Sequence, residues 1–115
     1  MKYPFRYMKD GHSCSTVKNN PRPWQIWFAK ARYTDGIHSK DRPVMIDRRV
    51  GDGYQCHMCT SKFSGMKDMY TVVDELEAGF DRPTYIDYDT MWIPDSDLRH
   101  MVGRLSIYDR EEFRR

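Results

Sequence analysis

No apolar run in this chain of 115 residues approaches the roughly 18 that a membrane-spanning helix needs. The opening stretch MKYPFRYMKDGHSC also lacks the apolar centre of a secretory signal. A cytoplasmic location with no membrane partner is the expectation. A large excess of one charge is missing as well: 19 Lys and Arg stand against 17 Asp and Glu, for a net charge of +2. That balance excludes passive coating of a nucleic acid, so any contact with one must come from local clustering. Cysteine is scarce and odd in number, at three, which argues against a disulfide framework and for free thiols. Length leaves room for one domain and none for a separate catalytic lobe. The apolar share leans on eight Tyr, eight Met and five Phe, so few long helices are expected.

Residues 1–23 are rich in polar, Gly and Pro residues and end in Asn19-Asn20-Pro21-Arg22-Pro23, which reads as an extension ahead of a domain over 24–115. From Trp24 to Tyr33 the aromatic and apolar density predicts a buried strand, and Arg32–Asp41 reads as a polar loop. Pro43 opens a second strand, PVMIDRRV, and Gly51-Asp52-Gly53 predicts a hairpin into a third, YQCHMCTS. Met69–Val73 predicts a short strand, and Asp74–Ala78 a helical turn stopped by Gly79. TYIDYDTMWI predicts a fifth strand ended by Pro94, and Ser106 with Asp109 predicts the cap of a C-terminal helix from Ile107 onward. Five short strands and one helix give a mainly β fold with short helices (β/α+β), a small barrel or strongly curved sheet.

The densest chemistry lies in the loop Gly36-Ile37-His38-Ser39-Lys40-Asp41 running into Arg42-Pro43-Val44, and in Cys59-Thr60-Ser61-Lys62 after the hairpin. A guanidinium offers fixed donors suited to phosphate oxygens, and a neighbouring hydroxyl adds another to the same group. The competing reading makes Arg42 a surface charge at a strand end and Thr60 a plain strand former. Around this centre lie Lys40, Arg48, Arg49, Lys62 and Lys67, with Tyr33, Tyr54 and Phe63 as stacking candidates for unpaired bases. Met66, Met69, Met91 and Trp92 read as core, with part of them available for a dimer seam or a peptide groove. Cys56-His57-Met58-Cys59 is a tempting zinc signal, but a strand points Cys56 and Cys59 to opposite faces, and the chain has no second C-x-x-C. No metal site is expected.

The order of these elements resembles the PemK/MazF toxins of bacterial toxin-antitoxin pairs over roughly residues 24–113. Ile26-Trp27-Phe28 resembles the family's first strand, Arg42-Pro43-Val44-Met45-Ile46 its Arg-Pro-Val strand, and Cys59-Thr60-Ser61 its hydroxyl-bearing strand end. Ala78-Gly79-Phe80, Thr84-Tyr85-Ile86 and Val102-Gly103-Arg104-Leu105-Ser106 are similar to its later landmarks. The chain departs from the family pattern at Pro23-Trp24, at Met58 and in the loop before Arg42, where His38 is the nearest candidate for a base.

The resemblance implies an SH3-like barrel of the PemK/MazF/CcdB type. It also implies a homodimer that cuts single-stranded RNA without a cofactor or metal, and that is silenced by an antitoxin peptide. Its recurrent functional pair maps to Arg42 and Thr60. Cleavage through the 2′-hydroxyl needs a base, an acid for the leaving 5′-oxygen, and charge on the phosphorane. Arg42 suits the last task, while His38, or less readily Asp41, suits proton transfer. Thr60 and Ser61 would position phosphate or the attacking hydroxyl, with Lys40, Asp41, Lys62, Arg48 and Tyr33 binding the strand. The alternative is a binding module of the same barrel without catalysis, of the gyrase-poisoning kind.

Overall fold

A computed structural model describes residues 20–32, 39–63 and 65–115. His38, Tyr33 and the expected extension up to residue 19 lie outside the described residues. Among the described residues, β1 (Gln25–Arg32), β2 (Ser39–Val50), β3 (Gly53–Thr60), β4 (Met69–Thr71), β5 (Tyr85–Pro94) and β6 (Leu98–Arg104) form one sheet. Its order is β4-β5-β3-β2-β1-β6, and every neighbouring pair is antiparallel. Two short α-helices, α1 (Glu75–Ala78) and α2 (Ile107–Arg114), and a 3-10 turn at Asp95–Asp97 complete the described residues.

The hairpin forms where Gly51-Asp52-Gly53 places it. Gly51 takes φ 64°, the left-handed value that a tight two-residue connection asks of its first residue. Gly53 is required for space, since a Cβ there would lie 2.5 Å from the Ile93 carbonyl oxygen and from the Trp92 ring. β2 begins earlier than its proline suggests. Pro43 pairs with Phe28 and stands just past the last rung with β3, Val44 opposite Met58, where a missing N–H costs that ladder nothing.

Alternation sends side chains to two cores, one on each face. Trp27, Ala29, Val44, Ile46, Tyr54, Cys56, Ile93 and Leu98 pack on one face. Ile26, Phe28, Met45, Cys59, Ile86 and Val102 pack on the other with Ala78, Phe80 and Leu105. Cys56 and Cys59 therefore fall into opposite cores as expected, both as buried free thiols. Burial, with the charge of Asp47 added, pushes the Cys56 thiol up to about 12, and burial raises Cys59 as well.

The barrel expectation needs one correction. The sheet is of the barrel type but is not closed, because β4 and β6 are its two edges. A strand of three residues is too short to seal the seam, and α1 packs against β6 beside it. Gly103 permits that approach, since a Cβ there would lie 2.5 Å from the Ala78 backbone. β6 is also a sixth strand where five were predicted. Two register shifts against β1 break its alternation, so period-two reading passes over it.

Candidate functional site

The rungs between β2 and β3 run from Val50 opposite Gly53, beside the turn, to Val44 opposite Met58. Two residues beyond that last pair stand Arg42 on β2 and Thr60 on β3. Period two sets Arg42 on the face of Val44, and Thr60 on the face of Met58 and Cys56. That face holds the core built on Trp27, Val44 and Cys56, with Met58 packed against it. The open end of one hairpin thus presents the guanidinium and the hydroxyl from adjacent strands on one face.

Arg42 pairs across β1 with Ala29, which is fully buried and small enough to leave room for the arginine stem. Its Nε is buried and has no hydrogen-bond partner among the described residues. A buried donor left unpaired costs about 1–3 kcal/mol, and an acceptor brought from outside would relieve that cost. Thr60 Oγ1 accepts the Lys62 N–H at 3.1 Å, which curls the chain at the strand end and leaves the hydroxyl proton to be donated. Ser61, Lys62 and Phe63 follow on the exposed surface, with Phe63 edge-on to Tyr85, ring centres 5.3 Å apart.

The other expected residues divide. Lys40, exposed, lies two residues from Arg42 on the same strand. Asp41 alternates to the opposite face and meets Arg99, Oδ1 to Nη2, at 3.7 Å. Arg48 is not brought to the group: it lies six residues from Arg42, beyond a register shift in β2, and faces Asp47 at 3.9 Å. Tyr54 is core, not a stacking platform, and its hydroxyl accepts from Arg49 Nη1 at 2.7 Å. Lys67 is drawn to Asp87 at 3.0 Å, a bond that raises its ammonium above the ordinary value. Met66 and Trp92 are exposed, contrary to the core expectation, while Met91 packs against the core. Tyr85, the rung partner of Thr60, and Arg99 were not foreseen. Only strand register could have found them.

The opposite face is closed by α2. Ser106 caps it, its Oγ accepting the Asp109 N–H at 3.1 Å. Asp109, fully buried, accepts from the Val73 N–H at 3.0 Å, the Asp74 N–H at 2.8 Å, the Ser106 hydroxyl and the Tyr70 hydroxyl. Burial and that carboxylate raise the Tyr70 phenol above its usual range. Phe113 stacks on Tyr88 at 4.7 Å and meets Trp24, His57 and Tyr70 edge-on.

No family model matches the chain, and the search of curated proteins found no match either. Among solved structures it is similar to the Mycobacterium tuberculosis toxin MazF-mt6, with a TM-score of 0.61 and 22% identity. The match covers 81% of this chain and 89% of that one. The fold is that of a MazF-type toxin. In this MazF-type fold the open end of the β2–β3 hairpin is where Arg42 and Thr60 stand. Among the described residues no helix is long and apolar enough to cross a membrane.

Proposed function

We propose that the chain is the toxin of a type II toxin-antitoxin pair, an endoribonuclease that cuts single-stranded RNA without a metal. The single observation that carries this reading is the buried Arg42 Nε without a partner, held beside Thr60 at the open end of a hairpin. The toxin fold supports it. In the reaction the 2′-hydroxyl attacks the adjacent phosphorus, and the 5′-oxygen of the next nucleotide leaves with a proton. Arg42 donates to the non-bridging oxygens as charge builds on the phosphorane. Thr60 donates to the same phosphate, and Ser61, Lys40 and Lys62 hold the flanking backbone. Phe63, exposed, with the half-buried Tyr85 beside it, offers ring surface for an unstacked base. His38 is the proposed base, because Asp41 is engaged by Arg99.

A homodimer and an acidic, apolar antitoxin peptide over Lys40, Arg42, Lys62 and Phe63 complete the proposal. The test is incubation of the purified protein with a long RNA in EDTA, beside Arg42→Ala. Cleavage is expected in EDTA and lost in the variant. Cutting that needs Mg²⁺ refutes metal independence. Equal cutting by Arg42→Ala refutes the site, and no cutting by the wild type leaves a non-catalytic binding module of this fold.

A further inference from the structure

On the face opposite Arg42, a cavity of about 240 Å³ is lined by Pro23, Trp24, Met45, Ile46, Asp47, His57 and Phe113. Two backbone irregularities build it. Trp24 has φ 73°, a left-handed conformation that a bulky aromatic residue rarely adopts and that clusters at functional positions. Asp47 is the extra residue where the register of β2 against β3 shifts, between Ile46 and Arg48, and such a bulge re-aims its side chain. The two meet through the Trp24 N–H, which donates to the Ile46 carbonyl at 3.0 Å.

The lining has a definite chemistry. Trp24 and Phe113 stand at 87° with ring centres 6.0 Å apart, a corner that takes a flat group against one ring and its edge against the other. Met45 and Ile46 add apolar wall. Apart from the indole N–H of Trp24, which can only donate, the polar side-chain groups in the lining are suited to accept. Asp47 brings two carboxylate oxygens. The Nδ1 of His57 lies 2.9 Å from the Asp87 carbonyl oxygen, and because a carbonyl only accepts, neutral His57 carries its proton there and keeps Nε2 as an acceptor. The ligand must therefore be planar, of one or two rings, and present donors side by side. The rim selects its charge: Arg114 lies 5.4 Å from the Trp24 ring centre, and Arg22 and Arg48 are exposed nearby in sequence. A cationic peptide side chain would meet these guanidiniums, whereas a nucleotide phosphate would be drawn to them.

We propose that this cavity binds a single nucleobase through adjacent N–H donors, with guanine preferred. Guanine offers N1–H and the N2 amine together, adenine and cytosine offer one amine, and uracil offers one N–H between two carbonyls that the Asp47 carboxylate repels. The base belongs either to a free nucleotide or to a single strand. The proposal does not rest on Arg42 or on RNA cleavage.

The experiment titrates GMP, AMP, CMP and UMP into the full chain by calorimetry, following the Trp24 indole and Phe113 ring signals by NMR. A 2′-O-methyl oligonucleotide with one guanine, and its uracil counterpart, form the second arm. The result expected is GMP bound at least about tenfold tighter than UMP, with both rings shifted, and at least about fivefold loss in Asp47→Asn, the scale of one good two-point base contact. Asp47 is exposed and its ion pair among the described residues is a long one, to Arg48 at 3.9 Å, so the variant should fold, and an unchanged melt checks this. An oligonucleotide that binds much tighter than GMP identifies a strand as the source, and equal affinity identifies the free nucleotide. Equal affinity for GMP and UMP, unweakened binding by folded Asp47→Asn, or no shift of either ring at millimolar GMP overturns the proposal.

Discussion

Two polar side chains reach the interior from opposite faces of the sheet, and the fold treats them in opposite ways. Asp109 is met by two backbone N–H groups and two hydroxyls, all supplied by the chain itself. Arg42 has a buried Nε that nothing among the described residues meets. A polar group whose partners are all internal fixes structure, because each bond is complete before any ligand arrives. A polar group left open lowers stability slightly and holds a place for an acceptor from outside. The contrast separates a residue that holds α2 from one whose donor the described residues leave open.

The largest effect expected is on the closed side. Asp109→Ala strands the Val73 and Asp74 N–H groups and the Tyr70 hydroxyl, and should cost about 4 kcal/mol, since bonds to a charged group contribute about 1.5–3 kcal/mol each and do not add fully. Urea unfolding measures it, and a loss under 1 kcal/mol would mean that α2 is held by Phe113 and not by its carboxylate. On the open side the prediction inverts. Arg42→Ala should lower RNA cleavage by on the order of 10²-fold or more while the melt stays level or rises. A variant that unfolds instead would place Arg42 with Asp109 and erase the distinction.

Thr60→Val should have a smaller effect, about tenfold on cleavage, because a neutral hydroxyl contributes less than a charge. Single-turnover rates on a defined RNA would show it, and a loss equal to that of Arg42→Ala would give Thr60 a proton-transfer role. The smallest effect concerns His100, half-buried against Phe28 with ring centres 5.7 Å apart. Burial lowers its pKa from the ordinary value. As pH falls the unfolded chain takes up the proton first, so stability is lost below about pH 6.5 and on toward the lower folded value, and the contribution is flat above that window. Thermal melts between pH 7.5 and 5 should therefore fall more steeply for the wild type than for His100→Gln. Parallel slopes would remove His100 from the account.

Local features were legible where a rule of short range decides them. Ser106 caps α2 through Asp109, Gly79 ends α1 with φ 91°, and Gly51 turns the β2–β3 hairpin, all as the residues predict. The opposite placement of Cys56 and Cys59 follows from period two alone. β6 was missed because its two register shifts hide the alternation, and β2 was begun late because Pro43 reads as a boundary unless the end of its ladder with β3 is known. Met66 and Trp92, expected in the core or at a seam or groove, are exposed in the single chain, because methionine and tryptophan carry the same apolar signal inside and outside.

The sequence by itself determined five of the six strands, the hairpin and the caps, because each depends on residues a few positions apart, and the family resemblance nominated Arg42 and Thr60. Tertiary structure alone decided that these two share one face past the last rung of one ladder, that the Nε of Arg42 is buried without a partner among the described residues, and that Asp109 is satisfied from residues 73 and 74. It also decided that Trp24 closes a cavity with Asp47 and Phe113. Those facts join residues far apart in the chain, and only strand register and packing, which no local pattern encodes, bring such residues within bonding distance.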